Sequence, residues 1–386
     1  VFNTNPPLGN GNLGTPFTLG NRTLNVLSLG DQIGNAKLKP EFTTEFEAGA
    51  EVQLFGGRVS ADVAVYNRRT NNQIVNVTTA PSTGFTSIIS NLGEIENKGV
   101  EAAATFIPLR LSNGLTWSMT HTYTRNRSLV KDMGDLDEVY IGGFTGLGLV
   151  HREGLPFGQI LGTDYLRDPE TNMPLINGES GLLIDNPEDQ IIGDPNPDFQ
   201  WTMGNTISYK GVSLYFLFDW KKGGDQFCFN CGQMRARGVT TETVENRESA
   251  RIIPGFIADP DDVTKPLLDE NGNKIPNNIQ ISANDLYFID GITSSGAFIH
   301  DTYDISTIRL REVTIGYTLP KSLLSKTPFG SAQISISGRN LWYEAYNTPT
   351  SINYDPEVAS INGVQGMDLG AAPTTRRYGV NLRFTF

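Results

Sequence analysis

Apolar and polar residues alternate along this chain with the period of two that marks a half-buried β-strand. In FEAGAEVQL, Phe46, Ala48, Ala50, Val52 and Leu54 fall on one face, and Glu47, Glu51 and Gln53 on the other. LTWSMTHTYT sets Leu115, Trp117, Met119 and Tyr123 against a run of Thr and Ser, and FQWTMGNTISY and VSLYFLFDW repeat the pattern. In STIRLREVTIGYTLP the phase slips near Arg311 and Glu312, which predicts a β-bulge. The closing RRYGVNLRFTF puts Tyr378, Val380, Leu382, Phe384 and Phe386 on one face. Together these runs predict strands over residues 43–54, 57–68, 97–107, 114–128, 137–151, 157–168, 199–210, 212–222, 302–318, 330–342 and 375–386, about eleven in all.

The spacing of the strands carries a second signal. Some connections are tight (FGGR, LRLSNG, YKGV), whereas residues 70–97, 168–198, 223–301 and 342–373 form long ones, and short and long alternate. Outer-membrane barrels have short turns at one end and long extracellular loops at the other. The polar faces carry Thr, Ser, Gln, Gly and paired charges, as the lining of a wide aqueous lumen does. Trp and Tyr recur near strand ends, where interfacial girdles belong. The fold class expected is therefore all-β, an antiparallel transmembrane β-barrel whose apolar faces meet lipid. A soluble β-rich surface protein is the alternative that shares the alternation.

Composition narrows the choice. Hydrophobic residues make up only 38% of 386 residues while glycine numbers 41, which suits strands and turns better than packed helices. A net charge of -12 argues against a nucleic-acid partner. No apolar run reaches the length of a membrane-spanning helix. The first residues, VFNTNPPLGNGNLG, lack the basic and apolar regions of a signal peptide, so an exported protein is expected either to have lost one or to begin upstream of Val1. The two cysteines lie in QFCFNCGQ; zinc or redox chemistry would need partners or a βαβ context that the sequence does not offer, so a small disulfide between Cys228 and Cys231 in an exposed loop is expected.

Catalytic patterns are missing. GNGNLG (residues 9–14) has the letters of a dinucleotide loop without the flanking strand and helix, and DENGNK (residues 269–274) places Lys274 where a calcium loop requires glycine. His121, His151 and His300 have no partners nearby in sequence. No enzyme, cofactor or metal site is expected. Binding fits better: NLWYEAYNTPTSINYDPE offers Trp342, Tyr343, Tyr346, Tyr354, Asp355 and Glu357 as aromatic platforms and hydrogen-bonding groups for a ligand. The competing reading puts Trp342 and Tyr343 in the outer girdle and makes the acidic pair a turn cap. Glu45, Glu47, Glu51, Arg309 and Arg311 are expected to line the lumen, with structural ion pairs across the wall as their other role.

Several long stretches, in order from about Leu38 onward, resemble SusC/RagA-type TonB-dependent transporters. They are LKPEFTTEFEAGAEVQLFGGRVSADVAVYNRRTNNQI, NLGEIENKGVEAAATF, IIGDPNPDFQWTMGNTISYKGVSLYFLFDWKKGGD, STIRLREVTIGYTLPKSLL, ISGRNLWYEAYNTPTSINYDPE and RRYGVNLRFTF. The resemblance implies a barrel of about twenty-two strands around a plug, of which residues 43–386 would be the C-terminal half and residues 1–42 an extracellular loop leading in. The plug would lie outside this chain. It further implies a multi-pass location in the cell outer membrane among its lipids, and import of oligosaccharides or peptides. The implied partners are a SusD/RagB-like surface lipoprotein as lid, TonB acting through the plug, and the remaining N-terminal half of the barrel. The terminal strand would close the barrel against its first strand. A scaffold barrel in a larger envelope complex, without transport of its own, is the alternative.

Overall fold

The computed structural model describes residues 15–20, 22–26, 32–79, 81–134, 136–144, 146–245, 247–289, 296–352, 354–357 and 365–386. The dinucleotide-like GNGNLG lies outside them. Nine long strands follow one another as antiparallel neighbours: β1 (Phe42–Leu54), β2 (Val59–Thr78), β3 (Ser87–Arg110), β4 (Thr116–Asp132), β5 (Pro197–Tyr209), β6 (Val212–Gly223), β7 (Thr307–Thr318), β8 (Ser331–Ala345) and β9 (Arg377–Thr385). Gln32–Ile33 joins the same sheet by pairing in parallel with Ser87–Ile88. Among the described residues β1 and β9 have no second neighbour, so the sheet is an open arc of wall.

The alternation read in the sequence survives as two faces. One register row runs Tyr123, Trp201, Trp220, Ile308, all on the apolar face. The next residue along each strand gives the polar row Thr122, Thr202, Asp219, Arg309. The apolar face stays open to its surroundings among the described residues, with Phe46 at 72% and Tyr378 at 74% exposure. The predicted phase slip is present. Register shifts between Leu310 and Glu312, so Arg309, Arg311 and Glu312 all serve the polar side while Leu310 and Val313 serve the apolar one.

Short connections gather at one end of the sheet: residues 55–58, 111–115, 210–211 and 319–330. The two-residue turn has positive φ at both Lys210 and Gly211, the twist that a tight hairpin demands. At the other end, the described residues within 133–196, 224–306 and 346–376 fold together into a cap. The connection expected over 70–97 is mostly strand: β2 and β3 run on as a projecting hairpin to Thr78 and Ser87. The segment 1–42, expected as a loop, contains a hairpin of Thr15–Leu19 with Arg22–Val26 as well as Gln32–Ile33.

Two predicted wall strands belong to the cap instead. Residues 137–151 fold as a hairpin, Glu138–Phe144 with Leu147–Arg152, and Gln159–Gly162 and Gln190–Gly193 complete its four-stranded sheet. The physical reason is burial on both faces: Leu147, Leu149, Val150, Ile160 and Leu161 are all buried, so this run is continuously apolar rather than alternating. A side chain at Gly148 would run into the Tyr140 ring, whose hydroxyl donates to the carbonyls of Phe144 and Leu147. A second cap sheet orders Thr302–Asp304, Asp225–Cys228 and Met367–Asp368, followed by helix α1 (Phe229–Ala236). Among the described residues no helix is long and apolar enough to cross a membrane, which says nothing of strands.

Candidate functional site

The polar face of β5, β6 and β7 meets the cap at a cavity of about 390 Å³, within the range of small-ligand sites. Gln200, Lys221 and Thr307 form one register row on the wall, and Asp219 and Arg309 the next. The cap closes the far side with Gln226, Pro356, Glu357 and Gln365. The strands fix the wall residues through backbone pairing; in the cap, Glu357 is held by ion pairs to the wall, Gln226 by the strand Asp225–Cys228, and Gln365 by a hydrogen bond from its amide to the Pro195 carbonyl.

Two arginines make the ion pairs. Arg309, 2% exposed, donates through Nη2 to Asp355 Oδ1 at 2.5 Å and through Nη1 to Thr374 Oγ1 at 3.2 Å, and its Nε stands 3.2 Å from Glu357 Oε2. Its guanidinium lies over the Tyr343 ring, 4.8 Å from the centroid. Arg311 donates to Asp219 Oδ2 at 2.7 Å and to Glu357 Oε1 at 2.5 Å. Burial pushes the Asp355 carboxyl upward, but the Arg309 guanidinium and the Thr374 hydroxyl outweigh it and hold the group below the usual carboxylate range. Asp355 thus binds the cap segment 354–357 to the wall as a carboxylate.

Gln226 is different. Its side chain is 4% exposed, it lines the cavity, and its amide oxygen has no hydrogen-bond partner among the described residues. A buried orphan acceptor costs about 1–3 kcal/mol, and this one belongs to a residue of the cavity wall.

The residues singled out in the sequence separate. Trp342 faces outward, 42% exposed, and the Tyr346 hydroxyl accepts from Trp220 Nε1 at 2.9 Å, so both belong to the outer rim. Tyr343 turns inward under Arg309, and the grouping of Trp342 with Tyr343 is corrected by their opposite faces. Tyr354 is buried against Cys228, Cys231 and Ile352. Asp355 stands behind Arg309, and Glu357 reaches the cavity. On the polar face of β1, Glu45 pairs with Arg68 at 2.9 Å, while Glu47 and Glu51 sit opposite Tyr66 and Asp62. Tyr378, Val380, Leu382 and Phe384 line the apolar face of β9, which pairs with β8. Cys228 and Cys231 are joined at the start of α1, but both are fully buried, because the cap folds residues 352 and 354 over them; the exposed-loop expectation is corrected. DENGNK is a turn in which Asp269 accepts from the backbone of Asn271 and Asn273, and Lys274 pairs with Asp168 and Glu170.

Sequence reasoning missed Gln200, Asp219, Lys221, Gln226, Thr307 and Gln365. Four of these occupy polar positions of alternating strands and were legible as lumen-facing. Gln226 and Gln365 come from connections without periodicity. Among the described residues no cluster of His, Cys, Asp and Glu could hold a metal ion.

Residues 4–167 match the family described as TonB dependent receptor-like, beta-barrel. Two Formosa agariphila proteins, "TonB-dependent receptor P3" and "TonB-dependent receptor P26", are each 26% identical over 95% of this chain, which covers 36% and 37% of their lengths. "TonB-dependent receptor SusC" of Bacteroides thetaiotaomicron is 27% identical over 28% of the chain. Among solved structures, the RagAB peptide transporter superposes with a TM-score of 0.68 at 18% identity, covering 96% of this chain and 38% of that one. The chain therefore spans a little over a third of the length of the receptors it matches. Its sequence and its wall of alternating strands point the same way: the chain is similar to TonB-dependent receptor-like β-barrels, by family model over residues 4–167 and by relatives over 95% of its length.

Proposed function

We propose that this chain supplies the C-terminal part of the wall, and much of the outward cap, of a TonB-dependent importer in the cell outer membrane, and that the cavity between β5–β7 and the cap holds part of the cargo. The observation that carries the reading is the buried, unpartnered amide oxygen of Gln226 at that cavity. The described lining supplies Lys221, Arg309, Arg311, Asp219 and Glu357 beside amides, and no aromatic ring. Of oligopeptides and oligosaccharides, the two classes expected, this favours a peptide, whose backbone and termini need donors, acceptors and both charges. Sugar faces want aromatic platforms, and Trp342 and Tyr346 stand on the outer rim. The RagAB transporter, similar in fold, carries the name of a peptide transporter, in keeping with this reading. The open edges of β1 and β9 would pair with the rest of the barrel. A SusD/RagB-like lipoprotein over the cap and TonB acting through a plug are the partners this function requires.

The test uses the full-length receptor in its own cells, supplied with labelled oligopeptides or oligosaccharides with TonB present or deleted. TonB-dependent uptake of peptides is expected, and Gln226→Leu should weaken peptide binding by about tenfold, the value of one buried hydrogen bond, at unchanged receptor level. Equal uptake without TonB would sink the importer reading. Stable co-purification with other envelope subunits in the absence of any uptake would favour a scaffold.

A further inference from the structure

On the polar face, one row farther from the cap than Asp219 and Arg309, a row across β7, β8 and β9 holds two arginines and a single carboxylate. Glu312 pairs in register with Arg339, and Arg339 in turn with Arg377. Like charges directly opposite one another on one face of a sheet repel. Arg339 is answered by Glu312, whose Oε2 stands 3.2 Å from its Nε. Arg311, at the bulge just above, is answered twice, by Asp219 and by Glu357. Arg377 is exposed and makes no ion pair among the described residues. Its Nε donates to Thr375 Oγ1 at 3.4 Å, and its two terminal nitrogens have no hydrogen-bond partner among the described residues.

Arg311, Arg339 and Arg377 line one open pocket of about 580 Å³, together with Asn340 and Thr375. Two bulges meet there. Arg311 is the additional residue of β7 against β6, and on β8 Asn340 and Leu341 together stand against Arg311. Asn340 holds a φ of 52°, a conformation that residues other than glycine seldom adopt, and its Nδ2 donates to the Thr375 carbonyl at 3.2 Å. Bulges beside a site re-aim its side chains; these two bring the Arg311 guanidinium and the start of β9 to the same pocket. Arg311 also lines the cavity under the cap. A chain seated in that cavity and running away from the cap passes Arg311 and arrives at Arg377.

We propose that Arg377, with Arg339 beside it, binds the C-terminal carboxylate of a peptide whose body lies in the cap cavity, so that the cargo enters with its C-terminus leading. The two terminal nitrogens of a guanidinium match the two oxygens of one carboxylate, a bidentate pairing. Every peptide carries this group whatever its sequence, just as it carries the backbone that the polar lining of the cavity suits. The inference rests on the peptide reading given above and adds to it the direction of the chain.

The full-length receptor in detergent is offered a randomised pool of synthetic peptides, half with a free C-terminus and half as C-terminal amides, and the retained peptides are counted by mass spectrometry. The wild type should retain the free acids about tenfold better, the value of one charge-assisted hydrogen-bonded pair. Arg377→Gln should bind both forms alike, Arg377→Lys should keep part of the preference, and Arg377→Glu should favour the amides. Acetylating the N-termini of the pool should leave the wild-type preference unchanged. A wild type that binds acids and amides alike overturns the site, and so does an Arg377→Gln receptor that keeps the preference. Retention that follows the Asp and Glu content of the peptides and ignores their C-termini would overturn it in favour of acidic side chains. A wild type without preference, together with less assembled receptor for Arg377→Gln, would overturn it in favour of a carboxylate from the remaining barrel. If neither form is retained, the peptide reading itself fails, whereas retained peptide without preference sinks the C-terminal site alone.

Discussion

Arg235 shows what a single residue does in the cap. Its side chain is buried, and it donates to Glu242 at 2.6 Å, to Tyr303 Oη at 2.6 Å and to Asp301. Arg235→Met would strand the buried Asp301 carboxylate, at a cost of about 3–5 kcal/mol. Hydrogen exchange over α1 in the full-length receptor should speed up accordingly; unchanged protection would refute the role assigned to this network. The buried histidines set a pH dependence of known sign. Burial lowers the His151 pKa to about 4, and burial with the nearby Arg235 charge lowers that of His300 to about 3. The Nδ1 of His151 accepts from the Gly158 amide at 3.2 Å, which only the unprotonated nitrogen can do. An unfolded histidine takes up its proton near pH 6.5, so below that value the unfolded cap binds more protons and stability falls as pH drops. For the buried His151 the slope is about 1.4 kcal/mol per pH unit between 6.5 and its folded pKa. Protection over residues 147–162, taken as exchange relative to the intrinsic rate at each pH, should fall from pH 7 to pH 5, and a flat protection profile would contradict it.

At the scale of the element, the bulge at Arg311 sets which face each residue serves. One additional residue lets Thr307, Arg309 and Arg311 face the lumen although Val313 and Ile315 face outward a few positions on. Deleting Arg311 would turn either the Arg309 side or the Val313 side of β7 over, placing buried charge against lipid. Loss of the folded, heat-modifiable band on gel electrophoresis is expected; normal assembly would show that the bulge carries no such burden. This device was legible in the sequence because the phase slip interrupts an otherwise regular alternation. The strands of β1 and β4–β7 were legible for the same reason. Residues 137–168 were not, because a continuously apolar run has no period to report its partner, and only burial in three dimensions assigns it to the cap. The far reach of β2 and β3 was hidden similarly, since Asn, Gln and Ser there look like a loop until pairing satisfies their backbone.

Over the whole molecule, the arc of wall and the crowding of long connections at one end could be read from strand spacing. Half the site could not. Lys221, Thr307 and Arg309 follow from alternation, but Gln226 and Gln365 are brought to the cavity by a cap whose sequence carries no repeat. In the larger barrel proposed above, β1 is expected to gain a neighbour on its open side. The alternate amides that it does not share with β2 should then exchange slowly in the membrane-embedded full-length protein. Fast exchange over residues 42–54 would mean that the wall ends at β1.

The cap also dictates when folding can finish. One of its hydrophobic clusters draws Leu147, Leu149 and Ile160 from one connection, Phe227 from the next and Met367 from the last. No stretch of the chain holds that core by itself, and contacts separated so far in sequence form slowly. The cap cannot mature ahead of the sheet beneath it: its last apolar contribution is delivered only after β8 has been made. A chain stalled before that point would present eight of its nine long strands under an unfinished cap, so loss of the segment around Met367 should destabilise the cap more than the sheet.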